Sequence, residues 1–389
     1  MINNLVDTVK YLKTHIMKLQ KILLLVCLLT PVFTSKAQTG SDKRNSSTNY
    51  IFSHLGKAKK IPAFECKGYW VWGSSVVKGN DNKYHMYVSR WPQEYMFHPG
   101  WVAKSEIVHA VSDKPEGPYK FSDIALPARG AQYWDGRSTH NPRVIFHGSK
   151  YYLMYMGSTH PFNEPTPEEM TMESKWTIVA RSNKRIGLAV SNSPYGPWKR
   201  FDKPILETKP GTFYSYLTSN PTPCIQDDGS VILVFKGRRY IDNKYSSMQM
   251  GVAYAPSIEG PYTVLNNDKP ILDAKGYGEG EDPFLWKDKE VFHIVFKDQR
   301  GEYTGEKESG VLAHSKDAIE WTVDKAPQAY SRTLMWEDGK ISEQGQMERP
   351  FILFEDGKPS YMFFGTSDGV GHFMQMTKSW NMVIPFEFD

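Results

Sequence analysis

The chain has 389 residues, with 47 basic and 43 acidic side chains, a formal charge of +4 and 14% aromatic residues. Five lysines (10, 13, 18, 21 and 36) and one acid, Asp7, fall in the first 37 residues, which leaves 42 side chains of each sign beyond them. That balance lacks the basic footprint of a nucleic-acid binder, and three cysteines in the whole chain exclude a disulfide scaffold or a zinc framework.

In chain order, Lys18 and Lys21 precede an apolar run over 22–33, and Ser35-Lys36-Ala37 supplies small residues before Gln38. The run is too short to span a bilayer and has the layout of a secretory signal. Residues 1–37 are therefore expected to be a signal peptide, with Met17 as its start, and the protein to be periplasmic or secreted without a membrane anchor. Cys27 follows Val26, where a lipidated cysteine would follow a small residue. Residues 38–58 begin with a polar stretch and read as a flexible lead. Cys66 and Cys224 remain beyond the signal, able to form one disulfide in an oxidising compartment.

From there on the chain repeats. A short motif opens an apolar strand five times: Trp72-Gly73-Ser74, His140-Asn141-Pro142, Ser219-Asn220-Pro221, Glu281-Asp282-Pro283 and Glu348-Arg349-Pro350. Each is followed by a polar turn and a second apolar strand, at 84–88, 151–156, 231–235, 291–296 and 360–364. A later element recurs as Ala110-Val111-Ser112 before Gly117-Pro118, Ala189-Val190-Ser191 before Gly196-Pro197, and Ala253-Tyr254-Ala255 before Gly260-Pro261. With about four strands per unit, the economical reading is all-β, a five-bladed β-propeller over 59–389. Its blades fall near 60–128, 129–206, 207–272, 273–330 and 331–389. Ring closure needs a strand from near the N-terminus or the C-terminal stretch 383–388.

Antiparallel strands send their connections alternately to two faces. The start of each inner strand, the loop between strands two and three, and the link to the next blade share one face, where function belongs. Trp198, Trp286 and Trp321 sit at repeat or strand positions and read as blade packing. Trp91 and Trp101, in the blade-one insertion, and Trp134, before the blade-two inner strand, are placed on the pocket face with Trp72. There they either stack on a sugar or pack their loops. The blade-two insertion over 159–185 reads as a pocket wall.

The inner strands converge, so Glu281, Asp282 and Glu348 should face one another, joined by His140 and Asp135 from blade two. Carboxyls crowded in a partly dry cleft separate into one protonated and one ionised group, as glycoside hydrolysis needs. Alternatively they bond Arg349 across the channel. Arg137, Arg143 and Arg349 are suited to a uronate or sulfate.

These motifs resemble the five-bladed propeller glycoside hydrolases of family 43 and the related family 117, across essentially all of residues 60–389. Those enzymes keep an Asp before the inner-strand Pro in two blades and a Glu two residues before it in another. The resemblance implies Asp282 as the orienting, pKa-tuning Asp and Glu348 as general acid, with Glu281 also fitting the acid's position. Gly73 stands where the family's base would be, and Asn141 and Asn220 occupy the matching places in blades two and three. Asp135 is then the candidate base, with Glu281 as substitute. The resemblance also implies an exo-acting, inverting β-xylosidase or α-L-arabinofuranosidase trimming plant or algal oligosaccharides or polysaccharide. No cofactor is required, although calcium near a channel histidine occurs in some members, so His140 either supports such an ion, acts as an acid, or bonds a carboxylate. Two other readings stay open: a hydrolase of anhydro, uronate-bearing or sulfated algal oligosaccharides, and a carbohydrate-binding propeller without catalysis.

Overall fold

The computed structural model describes residues 48–242, 244–272, 279–369 and 375–388. The expected signal over 1–37 and the start of the lead, 38–47, lie outside the described residues.

Five antiparallel sheets follow one another along the chain. Their inner strands are Tyr69–Lys78, Ser138–His147, Leu217–Ile225, Gly280–Asp288 and Gln346–Glu355, and these pack against one another around a common axis. Second strands run at Tyr84–Pro92, Lys150–Ser158, Val231–Arg238, Val291–Asp298 and Lys358–Ser367. Each second strand is covered on both faces by neighbouring sheets, which is why it reads as a continuous apolar run rather than an alternating one. Residues 231–235, for instance, are all buried. The all-β, five-bladed β-propeller expected from the repeat is the fold observed.

Closure uses both chain ends. Blade five has three strands, the third being Ser379–Pro385. The N-terminal segment lies along that strand's outer edge through bridges Leu55 to Phe386 and Phe64 to Asn381. The Gly56 and Lys59 N–H groups donate to the carbonyls of Pro385 (2.8 Å) and Val383 (3.2 Å). The lead expected over 38–58 is thus corrected in its described part. Residues Tyr50–His54 form helix α1, capped by the Asn49 side chain, which accepts from the Phe52 N–H at 3.0 Å. Asn49 Nδ2 donates to the carbonyls of Ala326 and Gln328 in blade four, and Ile51 is buried. Of the described residues read as a lead, Asn49 is a helix cap and Ile51 and Ala58 are core.

Two further short helices stand on the pocket face, in the loops between strands two and three: α2, Phe97–Lys104, in blade one, and α3, Lys175–Ser182, in blade two. Blade three places a small hairpin there, Tyr240–Ile241 with Lys244–Tyr245. Cys66 and Cys224 are free thiols.

Candidate functional site: a charged pocket at the propeller axis

The repeated motif has one backbone geometry. Gly73, Asn141, Asn220, Asp282 and Arg349, the second residue of each copy, all take left-handed φ between 52° and 57°. At each the pairing with the second strand shifts register, as in a β-bulge. Gly, Asn and Asp suit that conformation, and Arg does not. The five residues form a belt. Asn141 Nδ2 donates to Asn220 Oδ1 (2.9 Å), Asn220 Nδ2 donates to Asp282 Oδ1 (2.5 Å), and the Arg349 backbone N–H and Nη1 donate to Asp282 Oδ2 (3.2 Å) and Oδ1 (3.3 Å). Arg349 then lies over Gly73, where a Cβ would stand 2.8 Å from the arginine Cγ. The missing blade-one carboxylate is explained: the Arg349 side chain fills the space it would need.

Below the belt, the buried Arg143 closes the channel. Its guanidinium donates to the carbonyls of Ser74 (3.3 Å), Pro283 (3.3 Å) and Pro350 (2.9 Å), one from each of three blades. It is a plug, not the anion ligand that the sequence allowed.

The first residues of the motif copies hold the chemistry. Trp72, His140, Glu281 and Glu348 line one cavity of about 330 Å³. Opposite these positions on the second strands, Lys236 pairs with Ser219 and Lys297 with Glu281. Each lysine reaches across a blade boundary: Lys236 bonds Glu281, and Lys297 bonds both Glu281 (3.2 Å) and Glu348. Trp72 Nε1 donates to the other Glu348 oxygen at 3.2 Å. Burial, reinforced by Asp282 and Glu281 and opposed by Lys297, pushes the Glu348 carboxyl up to about 7. Glu281 is also buried, but Lys236 and Lys297 overcome the burial and hold it well below the carboxylate range. Lys297 stays charged despite burial because Glu348 and Glu281 flank it. One carboxyl near neutrality and one firmly ionised therefore share an ammonium, which puts their nearest oxygens within two hydrogen-bond lengths, about 6 Å.

The walls come from the insertions. Trp91 and Trp101 line the cavity, but only Trp101 stands in the insertion, on α2; Trp91 belongs to the second strand, paired with Trp70, rather than to the loop expected for it. Trp101 stacks on His140 (centroids 4.7 Å, 21°) and donates Nε1 to His98 Nδ1 at 2.8 Å. Buried Trp91 meets His140 edge-on. His140 Nδ1 shares a hydrogen bond with the Ser105 hydroxyl at 2.8 Å. Burial, then Arg349, Lys184 and Lys236, keep its ring neutral. The 159–185 insertion is a wall, presenting Met172, Arg181 and Lys184.

Three expected site residues are elsewhere. Asp135 is fully buried, bonded to Arg129 (2.6 Å), Arg200 (3.4 Å) and the Tyr155 hydroxyl (2.7 Å), and does not line the cavity. An acid so enclosed by two guanidiniums cannot reach a water in the pocket, so it is not the base. Trp134 packs flat on Tyr155 over Gly157 and Gly187. Arg137 is tied to Glu164 and to the Phe162 carbonyl. All three belong to a link whose position was right but whose side chains turn into the blade or the insertion.

Sequence reasoning missed Lys236, Lys297, Arg181, Lys184 and Arg238. A signal existed for two: both lysines end a buried apolar run as Phe-Lys at the same repeat position, Phe235-Lys236 and Phe296-Lys297. The surroundings of His140 do not suit calcium, which takes oxygen ligands. The charges that act on its ring are those of Arg349, Lys184 and Lys236, and no cluster of metal-ligating side chains occurs among the described residues.

No family model and no curated protein matches the chain. Solved structures do. A family 117 glycoside hydrolase produced by the marine bacterium Zobellia galactanivorans is 18% identical, with a TM-score of 0.60 over 86% of this chain and 90% of that one. A thermostable family 43 glycoside hydrolase is 14% identical, with a TM-score of 0.56 over 86% and 94%. A family 43 β-xylosidase/α-arabinofuranosidase from a compost microbial metagenome, solved with xylotriose in a calcium-free form, is 16% identical, with a TM-score of 0.56 over 86% and 96%. The chain has the five-bladed propeller fold that these glycoside hydrolases share.

Proposed function

We propose that the protein is an exo-acting glycoside hydrolase. One observation carries the reading: in a closed-bottomed cavity, Glu348 sits near neutrality while Glu281, on the same Lys297, is held ionised. Glu348 donates the proton to the leaving oxygen. Glu281 is the ionised partner that stabilises or attacks the anomeric carbon. Asp282, fixed by Asn220 and Arg349, holds the belt beneath them. Trp101, partly exposed at the cavity, offers apolar ring surface of the kind that sugars pack on, with Trp91 and Trp72 buried behind it, and the Arg143 plug restricts the site to a chain end.

The resemblance implies inversion, but the pocket carboxyls favour the other course. Inverting pairs stand roughly 6.5–9.5 Å apart to admit a water, and retaining pairs about 5–5.5 Å. That Glu281 and Glu348 share the Lys297 ammonium supports the shorter spacing. Proton NMR of the first anomer released tests this, and an inverted product would remove Glu281 from the role of nucleophile.

The decisive assay is reducing-sugar release from plant and algal oligosaccharides, comparing residues 38–389 with Glu348→Gln and Asp282→Asn. Release by the wild type and its collapse in both variants supports the hydrolase. Undiminished binding with no release from any substrate favours a binding propeller instead. Xylosidase or arabinofuranosidase action draws its support from the propeller hydrolases of like fold, and secretion from the apolar run at 22–33.

A further inference from the structure

Six basic side chains line the cavity against three carboxyls. Three of the six are matched: Lys236 with Glu281, Lys297 with Glu281 and Glu348, and Arg349 with Asp282. The other three, Arg181, Lys184 and Arg238, have no carboxylate partner among the described residues. They gather on one wall. The Arg181 and Arg238 guanidiniums lie over the same Tyr245 ring, at 5.5 and 4.9 Å, and the Lys184 ammonium lies over Trp101 at 4.9 Å. Their remaining polar contacts are to neutral atoms: Arg181 Nη2 to His98 Nε2 at 2.7 Å and to the Met172 sulfur at 3.7 Å, and Arg238 Nε to the Ser246 carbonyl at 2.5 Å.

Such a cluster is unfavourable on its own. Lys184 is 4% exposed. Burial, then Lys236 and Arg181, drive its ammonium well below the usual lysine range, with Glu281 opposing only in part. Burial likewise lowers Arg238, outweighing the opposing pull of Glu281 and Glu279, with Arg181 adding to the lowering. Burial pushes His98, packed beside them, down to about 3, with Arg181 and Lys184 adding to it. Buried charges of one sign are ordinarily paired. A fold that assembles three of them around a cavity is arranged for a charge that arrives with the ligand.

We propose that Arg181, Lys184 and Arg238 form a subsite for an oxyanion carried by the sugar, a carboxylate or a sulfate ester, beside the Glu281–Glu348 pair. Guanidiniums match the forked geometry of either group. The Lys184 ammonium supplies a third donor. The inference rests on the carbohydrate reading of the cavity and narrows it to acidic sugars.

The test measures binding of D-galactose, D-galacturonate and D-galactose 6-sulfate to the wild-type protein at one ionic strength, by calorimetry and thermal shift. At least one charged sugar is expected to bind about 10-fold or more tightly than galactose, a difference of ~1.4 kcal/mol. Preference for the uronate identifies a carboxylate, preference for the sulfate an ester, and equal preference the charge they share. Arg238→Gln and Lys184→Met should each abolish most of the preference. Lys184→Met should also raise the melting temperature of the free protein by ~2 °C or more, since an unpaired buried ammonium is removed. Equal behaviour of all three sugars, including no response to any, overturns the proposal, as does a preference that survives in both variants. Hydrolysis is read separately. Charged-sugar preference without hydrolysis leaves the subsite standing and defeats the hydrolase. Hydrolysis of neutral oligosaccharides by a wild-type protein that shows no charged-sugar preference does the reverse.

Discussion

Glu348 decides the chemistry. Its carboxyl, raised to about 7 by burial, with Asp282 and Glu281 adding and Lys297 opposing, is protonated through the mildly acid range and is lost as a donor above neutrality. The hydrolytic rate should therefore fall about tenfold per pH unit above 7, and Glu348→Gln should lose ~100-fold or more in kcat and the alkaline limb with it. An aryl glycoside whose leaving group needs no proton separates this from misfolding: it should be cleaved by the variant at close to the wild-type rate. The same shift bears on stability. A carboxyl whose folded pKa lies above its unfolded value of 4.5 favours the folded state most at low pH. That contribution disappears as pH rises through 7, a change of about 3 kcal/mol over the window. Denaturant melts at pH 5 and pH 8 should show the wild type losing stability on this interval more steeply than Glu348→Gln. Lys297 opposes the upward shift, so Lys297→Met should move the alkaline limb of the rate above 7. An unmoved limb would mean that another group controls it. Glu281, Asp282 and Glu348 were legible because the repeat aligns them. Asp135, Trp134 and Arg137 were misplaced because a link's position does not tell which way its side chains turn. The surplus cations stayed hidden since Arg181 and Lys184 sit in an insertion that no other blade repeats.

At the level of the element, the inner strand is the unit that converts a repeat into a site. A single bulge with one left-handed residue lets two successive side chains from each blade serve the axis instead of one. The first faces the cavity, and the second joins the belt. That geometry explains the residue choices: Asn twice and Asp once, where a left-handed residue must also hydrogen-bond sideways, and Gly73 where the neighbour's side chain already fills the space. Arg349 is the exception, a long side chain in a conformation that costs of order 1 kcal/mol for such residues. Its bonds to Asp282 offset that cost. Gly73→Ala tests the fit. Its new Cβ would lie 2.8 Å from Arg349 Cγ on a backbone with φ of 53°. The variant should lose ~1–3 kcal/mol in urea unfolding and, by displacing Arg349 from Asp282, lower turnover as well. A neutral result in both would show that Arg349 can leave Gly73 at no cost. The bulge itself was not readable beforehand. The motif's Asn, Asp and Gly signalled a special backbone, but Arg in the same place obscured the shared conformation.

For the whole molecule, the open question in the sequence was how a ring of five sheets is closed, and the answer joins the two ends. Blade five is left with three strands of its own, so the outer edge of Ser379–Pro385 would present unpaired N–H and C=O groups, a template for aggregation. The N-terminal segment covers that edge with backbone bonds from Gly56, Lys59 and Phe64, and α1 anchors it by burying Ile51 and bonding Asn49 to blade four. Short-range sequence pattern could not show this, because the segment pairs through scattered bridges to positions from Trp336 to Phe386, far along the chain, with no apolar alternation of its own. The same segment underlies the site. The strand it covers pairs with Lys358–Ser367, which pairs with the strand carrying Glu348 and Arg349. Removing residues up to Phe64 should therefore do more than trim a tail. The shortened protein should melt well below the full chain and aggregate on concentration, and its loss of activity should track its loss of structure. A double replacement, Ile51→Ser with Asn49→Ala, should give a graded version: ~2–5 kcal/mol lost from the buried side chain and cap, with turnover intact at temperatures where the ring remains closed. If the truncated chain instead melts like the full one, the edge must be protected without the N-terminal segment, and closure would reside in the three strands of blade five alone.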